Sequence, residues 1–311
     1  MQVYHNTTQL PAFKNAVITI GTFDGVHKGH QQIIQQLIKE ASAITGTAIV
    51  ISFDPHPKQV VASQGKPLNI LNVPAEKYEL LNQHGIEHIV IVPFDKAFAE
   101  QTAAAYIENF LVEKFHPHTI IIGYDHRFGN NREGDYKLLE SAAERMGFTV
   151  KEIPEHILQN VTISSTKIRE ALLKGDIETA ENYLGYKYFF TGEVVKGNQL
   201  GRTIGYPTAN LKIQHENKLV PANGVYAVTV KIEGRKQEYK GMMNIGVRPT
   251  VDGINRVIEV NIFDFDEMIY GSNLKITLHK QLRQEVKFNG LGELKDQLQK
   301  DRDHALAALQ A

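Results

Sequence analysis

The sequence predicts a two-domain protein, in which an α/β domain with a parallel sheet precedes a small antiparallel β-barrel and a C-terminal helix. The first half alternates short apolar runs with segments of helical periodicity, which is typical of a parallel sheet covered by helices on both faces. In the second half, strand-like segments follow one another with glycine-bearing turns between them, which is typical of a small closed barrel. A chain of 311 residues is long enough for about two such domains.

The first domain is predicted to begin with a β-α-β unit. An apolar run at Ala16–Ile20 ends in a glycine, apolar residues recur at helical spacing from Ile33 to Ala41, and Ala48–Phe53 is apolar again. The alternation then predicts His88–Phe94 (strand), Thr102–Lys114 (helix), Thr119–Gly123 (strand), Asp135–Met146 (helix), Phe148–Ile153 (strand), and helices at Ser165–Leu173 and Ile177–Leu184.

The second domain is predicted to begin after Tyr186, where the helical patterns stop. Its strands are expected at Phe189–Val195, Gly224–Ile232, Gln237–Ile245, Val257–Phe263 and Leu274–Leu282. An amphipathic pattern at Leu291–Leu309 predicts the terminal helix. We therefore predict domains at residues 1–186 and 187–311.

The composition is that of a globular protein and excludes several classes. Apolar residues make up 42% and charged residues 22% of the chain, which argues against intrinsic disorder. Lys and Arg total 34 against 35 Asp and Glu, so the net charge of −1 argues against a nucleic-acid partner. No apolar run approaches the ~18 residues of a membrane span, and the N-terminus lacks a signal-peptide pattern. A cytoplasmic location without a membrane partner is expected. The absence of cysteine excludes disulfides and thiolate chemistry.

The densest chemical motif is GTFDGVHKGH at Gly21–His30, where the first strand ends and the first helix begins. Ligands of open parallel sheets bind at this edge. Glycines let the backbone approach a ligand closely, and the amides and dipole of a helix start favour phosphate. His27 and His30 are three residues apart, so both can donate hydrogen bonds to charge that develops on a phosphoryl group. The motif therefore predicts a phosphate-binding site.

Other interpretations of these residues are open. His27 and His30 could merely cap a helix after a glycine turn, and as a pair they do not complete a metal site. Ser165 and Thr166 start a predicted helix with Arg169 one turn later, which suits a triphosphate. The alternative there is an ordinary helix start followed by a solvated arginine.

The motif at Gly21–His30 resembles the HxGH element of adenylyl- and cytidylyltransferases. Nearly the whole chain is similar, in the same order, to one family: the bacterial bifunctional riboflavin kinase/FMN adenylyltransferases, often called FAD synthetases. The other matching elements are FDPHP (Phe53–Pro57), GYDHRFG (Gly123–Gly129), ISSTKIR (Ile163–Arg169), GRTIGYPTANL (Gly201–Leu211), GVY (Gly224–Tyr226), NIGVRPT (Asn244–Thr250), IEVNIFDF (Ile258–Phe265) and LRQEVKF (Leu282–Phe288).

The resemblance implies that the first domain is a Rossmann-like nucleotidyltransferase that makes FAD from FMN and ATP and releases pyrophosphate. The FMN phosphate is already an anion, so the reaction needs alignment and charge stabilisation rather than a base. The ATP-binding residues that the resemblance implies are Gly21, Phe23, Asp24, Gly25, His27, Gly29, His30, Ser165, Thr166 and Arg169. Those that it implies for FMN are Pro55, His56, Pro57, Asp125 and Arg127. His126 departs from the phenylalanine that is commonest at its position.

The resemblance implies that the second domain is a riboflavin-kinase-type barrel, in which a primary hydroxyl attacks the γ-phosphorus of ATP. The chain has no GxxxxGK[ST] motif, so a P-loop kinase is excluded. Glu259 matches the family's base, and strand alternation puts it on one face with Asn261, to which we assign no role. Thr208 and Asn210 are implied as ligands of Mg²⁺ and the ATP phosphates. Further ATP or flavin contacts are implied at Gly201, Arg202, Gly205, Pro207 and Arg283.

Each of these assignments has a plainer alternative. Glu259 could be a solvated strand carboxylate, Pro207–Asn210 a polar strand entry, and Arg202 and Arg283 surface residues. The whole chain could instead be another HxGH transferase, acting on pantetheine phosphate or nicotinate mononucleotide, or a flavin-binding sensor without turnover. The expected partners are the small molecules riboflavin, FMN and ATP, with Mg²⁺ and no tightly bound prosthetic group, and the sequence indicates no oligomeric state.

Overall fold

The computed structural model describes residues 1–61, 68–153, 163–197, 200–250 and 253–310. It divides into two compact units, Met1–Ser165 and Thr166–Ala311. The sequence instead predicts a domain boundary at residue 186, and that boundary stays a prediction.

The first unit contains a six-stranded parallel sheet in the order β1-β4-β3-β2-β5-β6. The central strands are short apolar runs with both faces covered, as parallel sheets require, and all four residues of β2 are buried. The strands are β1 (Gln2–Tyr4), β2 (Val17–Ile20), β3 (Ala48–Asp54), β4 (His88–Pro93), β5 (Thr119–Gly123) and β6 (Thr149–Ile153). The predicted parallel α/β domain is confirmed.

The helices of the first unit follow the strands. α1 contacts β2, β3 and β5 and buries Ile34, Leu37 and Ala41. The helices are α1 (Lys28–Ala43), α2 (Pro57–Val61), α3 (Pro74–Gln83), α4 (Lys96–Ala99), α5 (Ala103–Ala105), a π-helix (Tyr106–Val112), α6 (Glu113–Phe115), a 3-10 turn (Asn130–Arg132) and α7 (Tyr136–Met146). The sequence does not predict β1 or α3, because β1 has only three residues and α3 has a weak apolar pattern.

The strand order fixes where a ligand can bind. The chain proceeds from β2 through β3 to β4 on one side, and β5 and β6 lie on the other side of β2. The strand order therefore reverses between β2 and β5, and ligands of such sheets usually bind outside the carboxyl ends of the two strands at this point. The segments that follow β2, β3 and β5 all start at this edge, and they contain three of the four predicted motifs of the first domain.

The second unit is a closed six-stranded antiparallel barrel in the order β10-β11-β8-β7-β12-β9. Its strands are β7 (Phe189–Val195), β8 (Ala209–Lys212), β9 (Gly224–Ile232), β10 (Glu238–Thr250), β11 (Gly253–Ile262) and β12 (Asn273–Arg283). The predicted barrel is confirmed, and β8 is an additional short strand.

Helices lie against this barrel. Helix α8 (Ser165–Lys174) starts at the last residue of the first unit, and its Leu172 carbonyl accepts a hydrogen bond from Ala222 N at 2.9 Å. Helix α9 (Ile177–Leu184) contacts β12. A short helix, α10 (Leu200–Thr203), precedes β8. The predicted terminal helix is α11 (Leu291–Ala308), which contacts β9, β10 and β12.

Candidate active sites

The Gly21–His30 motif forms a tight loop between β2 and α1. Phe23, Gly25 and Val26 have φ values of 48°, 89° and 34°, so three residues of the loop adopt left-handed conformations. A Cβ at Gly21 would lie 3.1 Å from the Phe23 ring. The loop therefore turns sharply into the helix, as the sequence predicts for a backbone that approaches a ligand closely.

The two histidines of the motif are stacked at the start of α1. Their ring centroids are 3.6 Å apart with an interplanar angle of 13°. His27 is the N-cap of the helix, and its Nδ1 accepts a hydrogen bond from His30 N at 3.3 Å. The helix-cap interpretation is thus correct for His27. It does not compete with a ligand-binding role, because the same geometry places both rings at the positive end of the helix dipole.

His30 is held in its neutral form near neutral pH. Burial, the charge of His27 and the charge of Lys77 together keep the pKa of His30 well below its usual value of 6.5. Within the described residues, the buried Nδ1 atom of His30 has no hydrogen-bond partner. A neutral imidazole keeps one N–H group, with which it can donate a hydrogen bond to a phosphate oxygen.

Asp24 connects the Gly21–His30 motif to the segment at Leu71 and Asn72 through hydrogen bonds. Its carboxylate is buried, and Oδ1 accepts hydrogen bonds from the N–H groups of Leu71 at 2.8 Å and Asn72 at 3.2 Å. Its backbone carbonyl accepts a hydrogen bond from Ser165 Oγ at 2.9 Å. The structure thus joins Ser165 to the motif. Thr166 and Arg169 follow on α8, which continues into the second unit.

The predicted FMN-binding residues lie on two segments at the same sheet edge. Pro55 and His56 connect β3 to α2, which begins at Pro57, and His56 Nδ1 accepts a hydrogen bond from Lys58 N at 3.1 Å. Asp125 and Arg127 follow β5 and are exposed.

Local contacts shape the second of these segments. The Arg127 Nη1 atom lies 3.0 Å from Asp135 Oδ2. Burial lowers the pKa of His126 to about 4, so this imidazole is neutral at pH 7. The Phe128 ring stacks on Tyr106 with a centroid distance of 5.2 Å, which anchors the segment to the core.

Sequence reasoning missed two residues of this site, Ser52 and Lys77. Ser52 is fully buried near the end of β3, and its Oγ donates a hydrogen bond to the Thr22 carbonyl at 3.2 Å. Lys77 on α3 donates a hydrogen bond to Ser52 Oγ, also at 3.2 Å. Lys77 carried no sequence signal, because the helix that bears it was not predicted.

In the second unit, Glu259 occupies the centre of a polar row across three strands. It pairs with Asn210 of β8 on one side and with Asn244 of β10 on the other. Directly paired residues of antiparallel strands point to the same face, so these three side chains share one face of the barrel wall. The structure therefore brings together two of the residues implied for the kinase site, Glu259 and Asn210, and adds Asn244.

Asn261 holds the Pro207–Asn210 segment through a hydrogen bond. Asn261 is buried, and its Nδ2 donates a hydrogen bond to the Pro207 carbonyl at 2.7 Å. Gly201 packs so closely on the carbonyl of Tyr206 that a Cβ would overlap it, and Gly205 has a φ of 85°. Thr208 is exposed and immediately precedes β8.

The two predicted arginine contacts have different settings. Arg202 is exposed on α10. Arg283 forms a bidentate ion pair with Asp301 of α11, with Nε–Oδ1 and Nη2–Oδ2 distances of 2.9 and 2.7 Å. Arg283 Nη1 donates to the Gln284 carbonyl at 3.0 Å. Each of its three guanidinium nitrogens is thus bonded within the protein, which indicates a structural role.

The described residues contain no group of three or more His, Asp or Glu side chains arranged to hold a metal ion. Mg²⁺ bound together with ATP does not require such a group, because phosphate oxygens and water supply most of its ligands. The Thr208 hydroxyl and the Asn210 amide are hard oxygen donors of the kind that Mg²⁺ prefers, and the Asn210 side chain lies close against Gly197, where a Cβ would displace it. These residues therefore fit a Mg²⁺–nucleotide.

Comparisons with known proteins find relatives over nearly the whole chain. A family model for FAD synthetase matches residues 10–167, and one for riboflavin kinase matches residues 184–309. Bifunctional riboflavin kinase/FMN adenylyltransferases are 36% identical in Haemophilus influenzae, over 97% of this chain and 96% of that protein, and 38% identical in Escherichia coli, over 96% and 93%. The chain belongs to this family. The Bacillus subtilis member is 36% identical over 94% of this chain and 92% of its own length.

A solved structure has the same fold over 97% of this chain. It is named a macrolide-efflux protein from Streptococcus pneumoniae, is 32% identical, has a TM-score of 0.86 and covers 97% of both chains. In the part of the chain that the structure describes, no helix is both long enough and apolar enough to cross a bilayer. Membership of the flavin family confirms the expected fold class and disfavours the two alternative functions, another HxGH transferase and a flavin sensor.

Proposed function

We propose that the chain forms FAD at the sheet edge of the first unit and FMN on the barrel wall of the second, using the residues described above. As a member of its family, the chain is an enzyme of flavin cofactor biosynthesis. The observation that carries the site assignment is the pair of stacked histidines at the start of α1, at the switch point of a parallel sheet.

Adenylyl transfer requires charge stabilisation more than proton transfer. An FMN phosphate oxygen attacks the α-phosphorus of ATP, and the bond to the bridging oxygen breaks to release pyrophosphate. His27 and His30 donate hydrogen bonds to the phosphate oxygens, and the helix dipole of α1 stabilises their charge. Gly21, Gly25 and Gly29 give the nucleotide access to the backbone. Phe23, Asp24 and Ser165 complete the ATP site, and Pro55, His56, Pro57, Asp125 and Arg127 receive FMN. The ATP contacts of Thr166 and Arg169 stay predictions from the resemblance.

Riboflavin phosphorylation requires a base, since a primary hydroxyl is a weak nucleophile. Glu259 accepts the hydroxyl proton while the oxygen attacks the γ-phosphorus and ADP leaves. Asn210 and Asn244, which flank Glu259 across the sheet, orient its carboxylate. Gly201, Arg202, Gly205 and Pro207 form the nucleotide loop.

The ATP-dependent activities of the family imply a divalent metal, and we assign Mg²⁺ held by Thr208 and Asn210. When bound, it neutralises phosphate charge. The cytoplasmic location and the lack of nucleic-acid or membrane partners stay predictions from the composition.

Product analysis tests this proposal. Purified protein is incubated with riboflavin, ATP and Mg²⁺, and FMN and FAD are separated by chromatography over time. FMN should appear first and FAD later, and FMN supplied directly should yield FAD and pyrophosphate. A protein that binds flavin but releases neither ADP nor pyrophosphate contradicts the proposal.

A further inference from the structure

Lys77 has no part in the mechanism above, yet it is connected to the adenylyl-transfer loop. Its ammonium donates a hydrogen bond to Ser52 Oγ at 3.2 Å, and Ser52 Oγ donates in turn to the Thr22 carbonyl at 3.2 Å. Thr22 lies within the Gly21–His30 motif. Two hydrogen bonds therefore join α3, β3 and this motif, and the middle residue is fully buried.

The charge of Lys77 also acts at the site. Desolvation lowers the pKa of Lys77, while attraction to Asp24 and Asp54 partly offsets that effect. The same charge is one of three causes that lower the pKa of His30, after burial and the charge of His27. Within the described residues, Lys77 thus interacts electrostatically with three titratable side chains, Asp24, Asp54 and His30.

We propose that Lys77 is a positioning residue for adenylyl transfer, which holds the motif loop through Ser52 and adds positive potential where the ATP phosphates bind. This inference rests on the proposed function of the motif. A partly desolvated cation stabilises nearby anionic charge more strongly than an exposed one, because little water screens it. Its stem is held by α3 and its head by Ser52, so no reorganisation is needed when the phosphates arrive.

Substitution of Lys77 tests the proposal in the full-length protein. Lys77→Met keeps the apolar stem and removes the charge, Lys77→Arg keeps the charge, and Lys39→Met alters an exposed lysine of α1 as a control. For Lys77→Met we expect kcat/KM of FAD formation from FMN to fall about 10–100-fold, as for the loss of one charged hydrogen-bonding group. Lys77→Arg should restore most of the activity. Riboflavin phosphorylation should be unchanged in all three.

A second readout separates positioning from mere support of α3. In Lys77→Met the imidazole of His30 should titrate at higher pH than in the parent, as followed by NMR of its ring proton, because a repelling charge is gone. Lys77→Arg should titrate as the parent does. Parental FAD formation or an unmoved His30 titration in a folded Lys77→Met protein overturns the proposal.

Two further variants keep the outcome decisive. If Lys77→Met does not fold, Ser52→Ala removes the link while leaving the lysine, and should slow FAD formation alone. Full activity of Ser52→Ala would then overturn the proposal. The double variant His27→Ala/His30→Ala tests the site itself. A loss of FAD formation there, beside parental activity in the Lys77 variants, refutes only the role of Lys77, whereas parental activity there refutes the proposed site.

Discussion

Replacing Arg283 with methionine should destabilise the second unit without removing a substrate contact. Arg283 is bonded to Asp301 through two nitrogens, and the side chain of Asp301 is only 1% exposed while that of Arg283 is 20% exposed. The variant leaves the Asp301 carboxylate buried without its charged partner, while Gln297 Nε2 still donates a hydrogen bond to Asp301 Oδ1 at 2.9 Å.

The size of the effect follows from this burial. Removing one partner of a buried ion pair costs about 3–5 kcal/mol, and the partial exposure of Arg283 favours the lower end, about 3 kcal/mol. For a unit of this size each kcal/mol lowers Tm by about 2–4 °C, so a decrease of about 6–12 °C is expected. A double variant, Arg283→Met/Asp301→Leu, should recover most of the loss, since no unpaired charge stays buried.

Thermal melts and kinase kinetics together decide the role of Arg283. Arg302→Met is the control on α11, the helix that contains Asp301. The ion pair of Arg302 with Asp264 is at the surface, where Asp264 is 85% exposed, so its loss should cost about 1 kcal/mol or less. Well below the Tm of the variant, the KM for riboflavin of Arg283→Met should equal that of the parent. An unchanged Tm together with a raised KM for riboflavin or ATP would refute the structural interpretation and restore a substrate contact.

Four further predictions address the reactions themselves. The double variant His27→Ala/His30→Ala should reduce FAD formation by at least about 10²–10³-fold while FMN accumulates, as chromatography would show, and normal FAD formation would contradict the site. Because the pKa of His30 is lowered, its imidazole stays neutral below pH 6.5. The rate of FAD formation should therefore show no inflection from His30 between pH 6.5 and 8. An inflection in that range that disappears in a His30 variant would contradict the neutral state of His30. Glu259→Gln should slow riboflavin phosphorylation about 10²–10⁴-fold, with riboflavin binding and FAD formation from FMN intact, whereas a solvated carboxylate would change nothing. Asn261→Leu removes the hydrogen bond to the Pro207 carbonyl and should raise the KM for Mg-ATP more than it lowers kcat, and an unaltered KM would argue against that role.

The sequence by itself determined the elements whose signal is local. Val17–Ile20 is a fully buried strand in which three of the four residues are apolar and all four are β-branched. The helical spacing of Ile34, Leu37 and Ala41 places one face of α1 on the sheet. The stacking of His27 and His30 follows from a three-residue spacing at a helix start. Local periodicity does not predict α3, because one of its buried residues is a glutamate, Glu76. The pattern of α3 therefore does not separate an apolar face from a polar one.

Only the tertiary structure decided which distant residues meet. Glu259 lies between Asn210 and Asn244 because of the register of β8, β10 and β11, and β8 precedes the other two by more of the chain than a hairpin spans. The pairing of β8 with β11 depends on the closure of the whole barrel. The contact of Lys77 with Ser52 requires α3 to pack on β3, and the pairing of Arg283 with Asp301 requires α11 to return to β12. Composition and spacing can identify a residue as polar or charged. Whether it becomes a ligand, a positioning group or a structural ion pair depends on burial and on partners that folding alone brings within hydrogen-bonding distance.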